Sequence, residues 1–155
     1  MPPGRSRRLS VPTRRLGSLL AALWAGALLS IALVATPAPF ATLASADAGR
    51  VVGRIFAQEA YLSLALGLAL LLIVRAQTRA AAAAKLGSAL DGNVLLVLGT
   101  LFCTVAGYFA LQPMIEAART GQGAFPFGAL HGASVAFFAL KSVLVLALAW
   151  RLGGG

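Results

Sequence analysis

One histidine and one lysine stand ten residues apart in the stretch GALHGASVAFFALK, residues 128–141, which is otherwise built of apolar and small side chains. At about 100° per residue on a helix, His131, Ser134, Phe138 and Lys141 share one arc of about 80°. Lys141 lies near the middle of its apolar run. An ammonium at that depth in a membrane costs about 2.5–3.5 kcal/mol on insertion scales, so its side chain is expected to face a helix bundle or water rather than lipid. The four acids, Asp47, Glu59, Asp91 and Glu116, are expected at helix ends or in loops, which leaves no carboxylate at the depth of Lys141. The partner expected instead is a small, partly polar stripe on the preceding run, Thr100, Cys103, Thr104 and Gly107. Against it the lysine is either neutral, or charged beside backbone carbonyls, water or a bound anion. Snorkelling along its own stem from a tilted helix is the competing reading.

His131 is expected three residues into its run, near the outer surface. Arg50, Arg54, Gln58, Glu59, Gln112, Glu116 and Arg119 are assigned to the same side, so an outer polar cluster around His131 is a second candidate site. Its plainer reading is an interfacial histidine bonded to a headgroup, a backbone carbonyl or water. The candidate ligand-binding set is therefore Lys141, Thr100, Thr104, His131, Glu59 and Arg54. No metal or other cofactor is expected: one histidine with two carboxylates is a poor donor set, and haem would need an axial partner such as Met114 or a second subunit. Cys103 stands alone, which excludes an internal disulfide and any CxxC metal motif. Neither a phosphate-binding glycine loop nor a nucleophile with a matched base is present, and the chain is expected not to be an enzyme.

The elements that must position these groups are membrane helices. Of 155 residues, 59% are hydrophobic and 11% charged, and the mean hydropathy is +0.88; charged residues make up about a quarter of an ordinary soluble domain. Four runs are long enough to cross a bilayer, about residues 16–36, 57–74, 93–112 and 128–150, each near the roughly 20 residues a span requires. TPAPF, residues 36–40, is expected to end the first span, because its prolines remove backbone donors. LDGN, residues 90–93, and GQGAFPFG, residues 121–128, break the chain before the third and fourth. The first run resembles a signal peptide in its arginine pair and its ASA triplet at residues 44–46, but an apolar core of about 20 residues exceeds a signal's 7–15 and favours an uncleaved anchor.

A formal charge of +9 does not imply nucleic-acid binding, since the basic residues flank the runs and form no basic face interleaved with aromatics. The basic tail (1–15) carries five Lys and Arg, the loop after the second run three (Arg75, Arg79, Lys85) and the C-terminal end Arg151, against Arg50, Arg54 and Arg119 on the other side. Both termini are therefore expected in the cytoplasm. The transmembrane domain is assigned to residues 16–152, with a short tail at 153–155. DAGRVVGRIF, residues 47–56, is amphipathic and is expected to lie in the outer interface before running into the second helix, and alanines 80–84 should extend that helix at its other end. Small residues recur at helical spacing: Ser18, Ala22 and Gly26; Ser63 and Gly67; Gly99, Cys103 and Gly107; Gly128 and Gly132. Close helix packing follows, and the expected fold is an all-α, compact antiparallel bundle of four transmembrane helices with little room for a wide pore.

Trp24 and Gly26, the Pro39-Phe40 pair, AGRVVGRIF at residues 48–56 and FGALHGAS at residues 127–134 resemble bacterial membrane proteins of the transmembrane protein 205-like family, whose biochemical function is unassigned. The resemblance covers most of the chain after the basic tail and implies a small four-helix protein of a bacterial inner membrane. Two functions fit: binding or transport of a small molecule or ion, which in so small a chain calls for a homodimer, or docking to another membrane protein through the small-residue faces. In a fusion series, topology reporters at both termini are expected to report the cytoplasmic side; periplasmic reporter activity at either end would overturn the orientation.

Overall fold

The computed structural model describes residues 5–83 and 91–154, with side chains from Thr13 onward. Residues 1–4, the segment 84–90 that holds Lys85, and Gly155 lie outside the described residues, as do the side chains of Arg5, Arg7 and Arg8. Every regular element among the described residues is helical. They run α1 (Arg5–Ser30), a π turn (Ile31–Ala35), α2 (Pro37–Thr42), α3 (Ser45–Ala83), α4 (Gly92–Thr104), a second π turn (Val105–Ala110), α5 (Leu111–Arg119) and α6 (Phe127–Gly153). Four stretches are long and apolar enough to cross a membrane: Thr13–Thr42, Ser45–Ala83, Gly92–Arg119 and Phe127–Gly153.

The number of spans is as expected, but the ends are not. TPAPF does not stop the first helix. Pro37 and Pro39 bring no N–H, and the chain answers by widening one turn: the Thr36 amide bonds the Ile31 carbonyl, five residues back, at 2.9 Å. Pro37 then opens α2, where a proline is tolerated because first-turn amides have no intrahelical partner. The same device recurs before Pro113, which cannot close a bond onto the residue four back, and the turn at Val105–Ala110 is π. The second span starts at Ser45 rather than near residue 57, so residues 47–56 are part of α3 without a break. Asp91 starts α4 as its N-cap, accepting from the amides of Asn93 and Val94.

Packing divides the molecule in two. One half has a dry core of Trp24, Leu28, Leu70, Val97, Val145 and Leu148, drawn from α1, α3, α4 and α6. Arg151 Nε donates to Asn93 Oδ1 at 2.8 Å and ties the end of α6 to the start of α4. Large apolar side chains such as Leu23, Leu33, Leu72 and Val143 point outward, as they do in a protein whose solvent is lipid. In the other half the helices hold a cavity between them.

Small residues have two fates. Gly67 and Gly107 are buried, and a β-carbon on Gly107 would stand 2.5 Å from Phe137 Cβ, so α6 approaches the second π turn as closely as backbone allows. Gly26, Gly128 and Gly132 have open space around them. Gly107→Ala is expected to destabilise the protein by about 1–3 kcal/mol through overpacking, while Gly132→Ala changes little; melting curves in detergent for the two variants check the difference.

Candidate functional site

The geometry around Lys141 differs from expectation. Its Nζ lies 2.7 Å from Glu59 Oε1 and 2.8 Å from Oε2, and both side chains are 4% exposed. A carboxylate is therefore available at that depth. Glu59 stands about four turns into α3 counted from Ser45, and Lys141 about four turns into α6 counted from Phe127, so the two meet. Counting α3 from residue 57 had put Glu59 at a helix end.

The pair is the end of a longer chain of bonds. Ser63, one turn along α3, donates its hydroxyl to Glu59 Oε1, and Trp24 Nε1 on α1 donates to Ser63 Oγ at 3.0 Å. Because Ser63 accepts from the indole, its own proton is directed at the carboxylate. Three spans are thus joined by hydrogen bonds in their interior. Lys141 Nζ also sits 4.9 Å from the centroid of Phe138, whose ring meets Phe56 edge-on at 5.2 Å. An ammonium over an aromatic face is held by the ring quadrupole.

Thr100 and Thr104 do not serve as the lysine's partners. Both are buried, but each hydroxyl bonds its own helix: Thr100 to the Leu96 carbonyl at 2.8 Å and Thr104 to the Thr100 carbonyl at 3.0 Å. The Lys141 ammonium donates instead to the two Glu59 oxygens. Snorkelling fails as well, since the ammonium is buried against Glu59 rather than extended to an interface.

A cavity of ≈ 560 Å³ stands over the pair. Its base is Glu59, Lys141, Cys103 and Thr104, all buried, and its rim carries the exposed Phe40, Arg119, Phe127 and His131. Val52, Phe56, Ile115, Val135 and Phe138 give it apolar walls. Both π turns face it, one through Ala32 with the adjoining Thr36, the other through Gly107 and Tyr108. The Ser134 hydroxyl donates to the Gly107 carbonyl at 3.1 Å, and the Thr36 hydroxyl oxygen is buried with no hydrogen-bond partner. Beyond Lys141 the dry core closes the interior.

The expected outer cluster forms only in part. His131 lines the cavity mouth and stacks on Phe127 with centroids 5.6 Å apart and planes 8° from parallel; Arg119 covers the same ring at 5.5 Å. Arg50 pairs with Asp47, and Arg119 and Gln112 bond Glu116 at 3.3 and 3.2 Å, all within their own helices. Arg54 is exposed and stands outside the cavity lining. His131 and Glu59 line the same cavity from opposite depths. Among the described residues no three His, Cys, Asp or Glu side chains are placed to hold a metal ion.

Sequence reasoning missed the Glu59–Lys141 pair and Trp24, Ser63, Phe56 and Tyr108 around it. A signal was present. Leu28, Ala32, Thr36 and Phe40 repeat every four residues through TPAPF, as do Thr104, Tyr108 and Gln112. Such a repeat drifts by about 40° per step on an α-helix and keeps one face only where the turns widen.

Four long apolar helices around a buried ion pair make this a multi-pass membrane protein. The chain belongs to the family described as domain of unknown function DUF4149, which it matches over residues 19–124, from α1 through α5. Comparison with curated proteins and with solved structures finds no significant match.

Removing one member of a buried pair leaves an uncompensated charge. Lys141→Met alone is expected to lower stability by about 3–5 kcal/mol, and the double change Glu59→Gln with Lys141→Met to recover most of it. Unfolding of these two variants and of Glu59→Gln in mixed detergent measures the difference; a double-variant loss equal to the sum of the two single losses would mean the pair is not coupled.

Proposed function

We propose that the protein binds a small molecule in the cavity over Glu59 and Lys141, with transport across the membrane as the extension of that role when two copies associate. The observation that carries the reading is a buried, hydrogen-bonded ion pair at the base of an open cavity. Ligand pockets run to about 300–1,000 Å³ and combine apolar walls with a few convergent polar groups. The cavity, at ≈ 560 Å³, has that make-up. An ionisable pair inside a membrane helix bundle is also rare enough to mark a functional site by default. Lys141 and Glu59 are the polar floor of the site, Thr104 is part of its wall and His131 its mouth. Thr100 and Arg54 have no part in this reading, because both lie outside the cavity lining.

The setting we infer is the inner membrane of a bacterium, with both termini cytoplasmic, the four spans packed antiparallel, and the mouth of the cavity toward the outer face. Residues 47–56 then lie at the outer interface, with Val51 and Val52 turned away from Arg50 and Arg54. The likeness to the transmembrane protein 205-like family belongs to the same reading. The role in this reading is binding rather than catalysis.

A second reading, docking to another membrane protein, draws on Gly26, Gly128 and Gly132, which are exposed with open space around them. Native mass spectrometry of the detergent-purified protein separates the two. Wild type is expected to carry a co-purifying small molecule that the double variant Glu59→Gln, Lys141→Met lacks. No co-purifying small molecule in either form, with a second polypeptide attached, would favour docking.

A further inference from the structure

We infer that the cavity takes a small organic monocarboxylate together with one proton, the carboxylate on Lys141 and the proton on Glu59. This rests on the binding role proposed above and names its ligand class. The inference starts from charge. Glu59 and Lys141 are 4% exposed and form a neutral pair between apolar helices. Adding an anion to such a site leaves one net negative charge in a low-dielectric interior, whereas an anion that enters with a proton leaves none.

The atoms have room for that exchange. Glu59 Oε1 accepts from both Ser63 and Lys141, while Oε2 accepts from Lys141 alone. When a ligand carboxylate takes over the ammonium, Oε2 loses its donor. A proton entering through the cavity forms an O–H bond there, Lys141 stays an ammonium, and its N–H bond moves from Oε2 to the ligand. The sum over lysine, glutamic acid and ligand is zero before and after. The Trp24–Ser63 bond anchors the carboxyl group from the other side, so Glu59 remains in place as its partner changes. The walls, Val52, Phe56, Val135 and Phe138, suit a compact apolar body.

Other titratable groups face the same cavity. They are Cys103 on α4, Tyr108 on the second π turn, Arg119 on α5 and His131 on α6, while α1, its π turn and α2 contribute none. His131 is the competing proton acceptor. It is exposed at the mouth, about 15 Å along α6 from Lys141, too far for a proton there to neutralise the floor of the site.

The test uses the full-length protein in nanodiscs, with benzoate as probe and benzamide as its uncharged counterpart, by calorimetry in buffers of different ionisation enthalpy. Benzoate is expected to bind with uptake of one proton, its affinity rising about tenfold per unit fall in pH above the range where free benzoate itself protonates. Glu59→Gln is expected to bind benzoate at every pH without proton uptake, and His131→Asn to keep the uptake of one proton. Lys141→Met, or the double variant with Glu59→Gln if the single one fails to fold, is expected to lose benzoate binding. Benzoate binding without proton uptake, or uptake abolished by His131→Asn, overturns the coupling. Benzamide bound in preference to benzoate overturns the anion class and leaves the binding role standing. No binding of either probe overturns this inference, and the co-purified species seen by mass spectrometry then decides the binding role separately.

Discussion

A carboxylate and an ammonium cannot stand singly in an interior of leucine, valine and phenylalanine, and from this the arrangement of the bundle follows. Glu59 and Lys141 must lie at one depth, on facing sides of α3 and α6, with their remaining valences satisfied. Ser63 on α3 donates to Glu59 and is itself held by Trp24 on α1, and Phe138 lies under the ammonium. A shift of one residue in either helix would turn one charge out of register by about 100°. Leucine–leucine contacts tolerate such a slip; a bonded pair does not. A buried pair of this kind is weak evidence of net stability, and its bonds tie α3 and α6 to one register.

The pair also marks a boundary. On one side α1, α3, α4 and α6 close on a dry core in which Trp24, Leu28, Leu70 and Leu148 are almost fully buried. On the other they part around the cavity, and there two of the spans are interrupted by π turns. Widened turns leave carbonyls and side chains without their usual helical partners. Ser134 reaches one of those carbonyls, at Gly107, and the Thr36 hydroxyl is left with none. Polar character enters a nearly all-apolar protein at these points as well as at the pair itself.

Much of this is legible in the sequence. Four spans follow from run length, and Lys141 facing inward follows from its position amid apolar residues. Glu59 was hidden by a boundary. Arg50, Arg54 and Gln58 lower the hydropathy before residue 59, so the second span looked as if it began there, although nothing in residues 45–58 breaks a helix. The threonines misled for a different reason: a hydroxyl in a helix has a bond available in its own backbone, and no sequence pattern tells that use from a bond across the bundle. Proline in a sequence signals a stop because it removes a donor, but in apolar surroundings ending the helix would strand more carbonyls than widening one turn. The aromatic stack of Phe127, His131 and Arg119 depends on where α5 ends relative to α6, which spacing along the chain does not contain.

A π turn holds one residue more than the α-helical path it replaces. Each of the two turns, in the first and third spans, is thus a single added residue absorbed locally, and the helix beyond it keeps the phase of the helix before it. Deleting one residue from Ile31–Ala35 would restore a regular helix over the same path, so Thr36 and Phe40 would still face the cavity and Trp24 and Leu28 would stay in the core. Length changes of one residue are thus absorbed in the turns that line the cavity. The tightly packed half of the bundle sets the fold, and the widened turns shape the pocket on top of it.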